Sequence, residues 1–342
     1  LQEAILASVE KQLDRVNVLF TSVGRRVELM RAFRNAYKEL ELRGTIVATE
    51  IDPLAPALQD VDRYYMVPRM DDERYLPTLA DICRQESIQL IFPLIDPDIP
   101  ALAQGSELFE QEGARLTSLF EPEATIANDK SLTHDFFKSI EVPTPRTWRG
   151  TPDGAFEFPL YIKPSIGSAG KGGRKVEDQA SLEHALSQIP QAIVQEYLPG
   201  PEITNDVSCG MDGRVWSVVS RQRIEVRWGE VAKGVTIANE EIIEACVKIA
   251  EGLKAKGPIT VQCLMRDGRP HFTEVNARFG GGLPLGIAAG VPSPQWYLSE
   301  AAGIPVVAPP LGTYKTGLYI TRYDESHFLD ESEVADVESH RL

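Results

Sequence analysis

Short apolar runs alternate with amphipathic stretches through the first third of the chain. Residues 17–23 read N-V-L-F-T-S-V, a buried strand closed by Gly24. A helical spacing of apolar positions runs over 26–42, and a second apolar run at 45–51 ends in Glu50-Ile51-Asp52-Pro53. A short strand near 64–67, a helix over 75–86, a strand at 89–93 and a helix after Pro100 continue the alternation. Strands apolar on both faces and separated by helices predict a doubly wound parallel α/β sheet. This first unit ends near Pro122.

The pattern then changes. Asn128-Asp129-Lys130 opens a helix that runs to 140, with Asn128 or Asp129 as its N-cap. A strand at 160–163 leads into a glycine-rich loop at 165–173, followed by a helix at 181–188 and a strand at 192–197. From 202 to 236 polar and apolar residues alternate as in antiparallel strands. A helix at 240–253 precedes a hairpin, 259–265 and 271–277, around Asp267-Gly268. A helix near 294–302 and a strand near 315–322 complete the pattern. The domains expected are 1–122, an N-terminal α/β unit; 123–195, a small lobe with the glycine-rich loop; and 196–342, a C-terminal lobe.

The hairpin carries the densest chemistry. Ile259, Val261, Cys263 and Met265 alternate with Thr260, Gln262 and Leu264, and Val275 and Ala277 alternate with Glu274, Asn276 and Arg278. Side chains alternate faces along a strand. The turn length decides whether the two polar sets agree. A two-residue Asp267-Gly268 turn pairs Gln262 with Thr273 and puts Glu274 on the other face. A three-residue Arg266-Asp267-Gly268 loop, or an equivalent bulge, brings Gln262, Glu274, Asn276 and Arg278 to one face. The three-residue loop, or an equivalent bulge, is the expectation. Glu and amide oxygens are hard ligands suited to Mg²⁺, which takes its remaining ligands from water and phosphates. Arg278 offers a planar fork to a phosphate. Phe279-Gly280-Gly281-Gly282 follows, where backbone amides approach an anion closely. On the pattern alone, a solvated face with an Arg–Glu pair stands equally well.

Ser165-Ile166-Gly167-Ser168-Ala169-Gly170-Lys171-Gly172-Gly173 fails the P-loop pattern, because Lys171 is followed by Gly and the glycine spacing is wrong. A flap laid over phosphates, with Lys163 as a fixed charge on the strand below, fits the segment; so does a flexible hairpin tip. Ser22-Val23-Gly24-Arg25-Arg26 has one glycine where a dinucleotide fingerprint has three, which makes Glu50 or Asp52 a weak candidate for a ribose acid.

Composition narrows the classes. The formal charge of −15 argues against a nucleic-acid partner, which calls for clustered Lys and Arg. No apolar run approaches the roughly 18 residues of a membrane span. Residues 1–16 are amphipathic and acidic, unlike a signal peptide. Cys83, Cys209, Cys246 and Cys263 are far apart and the five histidines are scattered, which disfavours zinc and disulfides and makes a cytoplasmic location the expectation.

In chain order the chemistry-bearing residues are Asn128-Asp129-Lys130, Lys163 with its glycine flap, Val194-Gln195-Glu196-Tyr197-Leu198-Pro199-Gly200-Pro201-Glu202, Gln262, and Glu274-Val275-Asn276-Ala277-Arg278. This ordered set resembles the ATP-grasp superfamily, and most of all the synthetase units of the carbamoyl-phosphate synthetase large subunit, over residues 17–323. The resemblance implies an N-terminal doubly wound domain followed by two α+β lobes that clamp ATP. It implies ATP and Mg²⁺ as cofactors, with Mn²⁺ able to take the same ligands. Lys130 and Lys163 would contact ATP phosphates, with Ser165 and Gly170 in the flap over them. Gln195 and Glu196 lie where the family recognises the adenine amino group, Leu198 where a backbone amide meets the ring, and Glu202 where ribose is held. Gln262, Glu274 and Asn276 match metal ligands, and Arg278 matches the cation that steadies the transferring phosphoryl group.

The activity implied is carboxylate–amine ligation through an acylphosphate, with release of ADP and phosphate. The alternatives are a bicarbonate-activating enzyme, or a nucleotide-binding module without ligase chemistry. One synthetase unit, without room for allosteric and oligomerisation domains, does not imply carbamoyl phosphate synthesis. Partners would be a small carboxylate and an amine, and a homodimer is common in the family. Arg223, Arg227 and Lys233, in a charge-rich stretch, and Gly281 are candidates to face the acceptor; exposed strand charges account for the first three as well.

Overall fold

The computed structural model describes residues 13–167, 170–227 and 229–342. Most of the amphipathic stretch read at 1–16, and Ser168 and Ala169 of the flap, lie outside the described residues. The chain forms two compact units.

The first unit holds the chain up to Thr117 together with Pro292–Pro309 and Glu325–Leu342. Its strands are β1 (Val18–Thr21), β2 (Ile46–Glu50), β3 (Arg63–Met66), β4 (Leu90–Pro93) and β5 (Arg115–Leu116). They form a parallel sheet in the order β3-β2-β1-β4-β5. Helices α1 (Val27–Glu39), α2 (Tyr75–Glu86), α3 (Asp98–Gln104) and α4 (Ser106–Gln111) make the connections. α3 begins at Asp98, two residues ahead of the sequence expectation, because Pro100 fits a first helical turn whose amides have no intrahelical acceptor. β1, β2 and β4 are buried throughout. Phe20, Phe33 and Phe92 pack ring on ring at 4.9–5.2 Å, and Tyr297 from the helix Ser293–Ala301 rests on Phe92 at 5.5 Å.

The sheet's edge is completed from the far end of the sequence. Met66 donates to the His340 carbonyl at 3.0 Å and accepts from the Leu342 amide at 2.9 Å, next to the helix Glu331–Ser339. The segments 292–309 and 325–342 therefore pack with the N-terminal sheet, whereas the sequence reading places all of 196–342 in one lobe. At the carboxyl ends of the strands, Glu50 accepts from the Gly24 and Ile51 amides at 2.8 Å each. That bonding explains Glu50 as the tie that closes the turn after β1. Asp98 accepts from the Thr21 and Ser22 hydroxyls at 3.0 and 2.7 Å, and burial pushes its carboxyl up to about 6.

The second unit spans Ser118–Val291 and Pro310–Asp324. α5 (Glu123–Asn128) leads to α6 (Lys130–Ser139), whose N-cap Asp129 accepts from the Ser131 amide at 2.8 Å. β6 (Thr147–Arg149), β7 (Leu160–Pro164), β8 (Arg174–Val176) and β9 (Ala192–Glu196) form an antiparallel sheet in the order β6-β9-β7-β8. Leu160, Ile162, Val176 and Val194 pack on Leu182 and Ala185 of α7 (Gln179–Gln188). Alternation puts Tyr161, Lys163 and Gln195 on the other face.

The larger antiparallel sheet contains β10 (Glu202–Cys209), β11 (Val215–Arg227), β12 (Glu230–Ile237), β13 (Pro258–Arg266), β14 (Arg269–Asn276) and β15 (Tyr319–Thr321). Its order is β14-β13-β10-β11-β12-β15. α8 (Glu240–Gly252) packs on β10 and β11, and Phe137 of α6 meets Phe272 at 6.2 Å, so helices cover the apolar face. Among the described residues no helix is long and apolar enough to cross a membrane.

Candidate active site

The site starts from the β13–β14 hairpin. Its turn has two residues, Asp267 and Gly268, both with positive φ (52° and 79°), and Arg266 pairs with Arg269. This is the primed turn favoured by strand twist, so of the two arrangements expected the three-residue loop is not the one formed. The equivalent bulge is present instead. Cys263 pairs with Phe272 but Gln262 pairs with Glu274, which leaves Thr273 as an extra residue on β14. The Thr273 hydroxyl donates to the Gln262 carbonyl at 3.3 Å and steadies the bulge. The added residue flips the parity of β14. Gln262 and Glu274 therefore stand opposite each other, and Thr260 stands opposite Asn276.

The same face continues across β10 and β11. Thr204 pairs with both Gln262 and Arg221, and Asp206 with Thr260. Asn276 Nδ2 donates to Glu274 Oε1 at 3.4 Å, and Arg278 Nη1 donates to the Phe279 carbonyl at 3.2 Å. Among the described residues no three His, Cys, Asp or Glu side chains are grouped to hold a metal. One carboxylate beside two amides is not a cage for a metal on its own. It suits Mg²⁺, which keeps water and phosphate oxygens in most of its positions.

Lys163 of β7 acts on this face. Burial opposes the charge on Glu274, but Lys163, Lys130, the Asn276 hydrogen bond and Arg278 outweigh it and hold the carboxyl below its usual range. On the other partner desolvation wins: burial, with Lys130 adding to it, pushes the Lys163 ammonium down despite Glu274 and Glu202. Lys163, Lys130 and Arg278 thus converge on Glu274, and an anionic ligand would offset the cost of burying their charge.

The flap is tied at its base to the start of α6. The Lys130 amide donates to the Ser165 carbonyl at 2.9 Å, the Ser165 hydroxyl donates to Asp129, and Lys130 Nζ donates to the Gly167 carbonyl at 2.6 Å. Ser165 is buried in this joint, whereas Gly170 sits at φ +67° in open space. The adenine candidates are engaged with protein. Gln195 donates to Thr147 Oγ1 at 2.9 Å. Glu196 accepts from the Arg146 amide at 3.0 Å and Arg266 at 2.7 Å, and although burial opposes its charge these bonds hold its carboxyl below the usual range. Both side chains thus brace the strand end. Among the described residues no backbone carbonyl accepts from the Leu198 amide.

The acceptor candidates separate. Arg223 pairs with Glu202 at 2.6 Å, which ties it to the proposed ribose acid. Arg227 and Lys233 both pair with Glu225, at 2.8 and 2.7 Å, where the β11–β12 ladder is irregular. Three residues not singled out in the sequence surround Gly281 instead. Arg221 and Asp206 form a buried ion pair next to Gly280 and Gly282, and Arg322 Nη2 donates to the Gly281 carbonyl at 2.7 Å. Little in the sequence signals them, because Arg221 stands in the polar run Ser220-Arg221-Gln222-Arg223 and Asp206 follows Thr204-Asn205. Among the described residues no backbone carbonyl accepts from the amides of Gly280, Gly281 or Gly282.

Known proteins are similar to this chain in sequence and fold. A family model described as the PylC-like N-terminal domain matches residues 18–117, and one described as ATP-grasp in the biosynthetic pathway with Ter operon matches 188–322. The chain is 30% identical over 258 residues to the 3-methyl-D-ornithine–L-lysine ligase of Methanosarcina barkeri, covering 75% of this chain and 66% of that one. It is 22% identical to the carbamoyl phosphate synthase large chain of Clostridium botulinum, covering 80% of this chain and 26% of that one. The chain thus spans less than two thirds of each of these relatives. The fold is similar to that of an L-amino acid ligase from Bacillus licheniformis, with a TM-score of 0.67, 20% identity, and coverage of 85% and 75% of the two chains.

Proposed function

The chain belongs to the ATP-grasp superfamily, and from that premise we propose that it is an ATP- and Mg²⁺-dependent ligase joining an amino acid carboxylate to an amine. The observation that carries this is the single polar face on which the Thr273 bulge sets Gln262, Glu274 and Asn276 together, within the field of Lys163 and next to Arg278. Two similar proteins, the Methanosarcina and Bacillus enzymes, are named as ligases of amino acids, which supports the substrate class.

Glu274, Asn276 and Gln262 would hold Mg²⁺, which when bound neutralises charge on phosphate oxygens. Lys163 and Lys130 would hold the phosphates from the flap side, Leu198 would offer its amide to the adenine, and Glu202 would take the ribose. The γ-phosphoryl group passes from ATP to a carboxylate oxygen, which breaks its bond to ADP and forms an acylphosphate. The amine then attacks the acyl carbon, phosphate leaves with the C–O bond, and the amine loses a proton. Arg278 stabilises the phosphoryl group in transfer. No protein nucleophile takes part.

Phosphate release measured against a panel of amino acids and amines tests the proposal. The expected products are ADP, phosphate and an amide in equal amounts. AMP and pyrophosphate, or release that needs bicarbonate and no amino acid, would overturn it. Glu274→Ala should lower turnover at least about a hundredfold without unfolding the chain; unchanged turnover would remove the metal assignment.

A further inference from the structure

The buried ion pair beside the triglycine segment has no part in the reaction just described. Arg221 and Asp206 are 4% and 7% exposed, and they meet as a fork, Nε to Oδ2 at 2.6 Å and Nη2 to Oδ1 at 3.0 Å. Burying such a pair seldom adds net stability, because desolvation offsets the attraction. Stability alone is therefore a poor reason for it to be there.

What covers it is more informative. A Cβ on Gly282 would lie 2.2 Å from Arg221 Nη1 and 2.3 Å from Cζ, and one on Gly280 would lie 2.4 Å from Asp206 Oδ1. The loop backbone thus lies directly against the ion pair. Thr260 Oγ1 donates to the Arg278 carbonyl at 3.0 Å, and Arg322 holds the Gly281 carbonyl. These anchors engage a carbonyl or the space of a missing side chain, and among the described residues no backbone carbonyl accepts from the segment's amides. Its position separates it from the ribose end of the nucleotide. Asp206 is four residues beyond Glu202 on β10, roughly 13 Å along the strand at about 3.3 Å per residue. Gln262 and Glu274 lie in the row of Thr204, between them, and Asn276 in the row of Asp206 itself, so the loop borders the metal row on the side away from the ribose acid.

We propose that Arg221, held by Asp206, is a positioning residue that fixes Gly280–Gly282 in the shape in which its amides receive the carboxylate of the acceptor amino acid. It sets affinity for that substrate and not for ATP. The planar guanidinium is what the loop rests on, so Lys, with a point charge on a flexible stem, does not replace it. This rests on the ligase reading, and two measurements keep the two apart.

The first needs no turnover. The Leu283 and Leu285 amides donate to the Gly280 and Gly282 carbonyls at 3.1 and 3.0 Å, so their hydrogen exchange reports the loop's shape. Arg221→Lys and Asp206→Asn should each speed that exchange by about tenfold while leaving β7 unchanged. The second is kinetic: Arg221→Lys should raise KM for the amino acid by about tenfold or more and change the Kd of Mg·ATP less than about twofold. Unchanged exchange overturns the proposal, as does a loss of ATP affinity in proportion to the loss of acceptor affinity. If both variants fail to fold, the pair is structural and the proposal also falls. If no amino acid releases phosphate with the unaltered chain, the ligase reading fails, and the exchange measurement still decides whether the pair holds the loop.

Discussion

Two glycine-rich segments serve the second unit, and glycine is needed in them for opposite reasons. In the flap, Gly170 and Gly172 take φ values of +67° and +80°, and a methyl on Gly170 would meet nothing within 4 Å. Glycine there supplies a backbone conformation. In the triglycine segment neither Gly280 nor Gly282 has a left-handed φ, and a methyl on either would collide with Asp206 or Arg221. Glycine there supplies closeness. The same residue type therefore predicts different consequences when it is replaced.

The largest effect should come from Gly282→Ala. Overpacking against a buried guanidinium destabilises by about 1–3 kcal/mol, and misplacing the loop should lower acceptor-dependent phosphate release by about a hundredfold. A urea titration beside the phosphate assay checks both, and a variant that keeps its activity would erase the contrast. Gly170→Ala should be milder. Its left-handed φ makes a side chain unfavourable by about 1 kcal/mol, and KM for ATP should rise severalfold while that for the amino acid stays put. A rise in both would mean that the flap and the loop act as one device.

The smallest effect lies in the other unit and serves as the control. Burial raises the Asp98 carboxyl from 3.8 to about 6. The folded state therefore binds this proton more tightly than the unfolded chain does. That contribution to stability is fully present below the unfolded value and is lost as pH rises through about 6. Between pH 5 and 8 it amounts to about 1 kcal/mol. Melting temperatures of Asp98→Asn should fall less than those of the unaltered chain over this range, with neither KM altered. An identical pH profile in the two proteins would show that Asp98 does not titrate there.

Much of this was legible before any coordinates. The alternation of apolar runs and helices announces the parallel sheet, because strands buried on both faces carry no polar side. The polar row of the hairpin was legible too, since Gln262 and Glu274 can share a face only if a residue is inserted between them. Where the insertion falls was not. Asp267-Gly268 is a strong two-residue turn, and the sequence does not mark Thr273 as extra; the bulge appears only when both strands pair with their neighbours. Arg223, Arg227 and Lys233 drew attention as charges, but a charge's partner depends on strand register, which set Glu202 and Glu225 beside them. Arg221 was hidden among these charges, although it is the one whose burial sets it apart.

The first unit's dependence on residues 292–342 bears on the order in which the chain is made. β1 to β4 emerge from the ribosome well before the helix Ser293–Ala301 does. The aromatic cluster around Phe92 then waits for Tyr297, and the backbone of Met66 at the sheet's edge waits for residues 340–342. During that interval a parallel sheet with an open edge and an uncovered apolar face is exposed to other chains. Residues 118–291 of the second unit are synthesised inside that window, so the first unit is completed only after most of the second has been made.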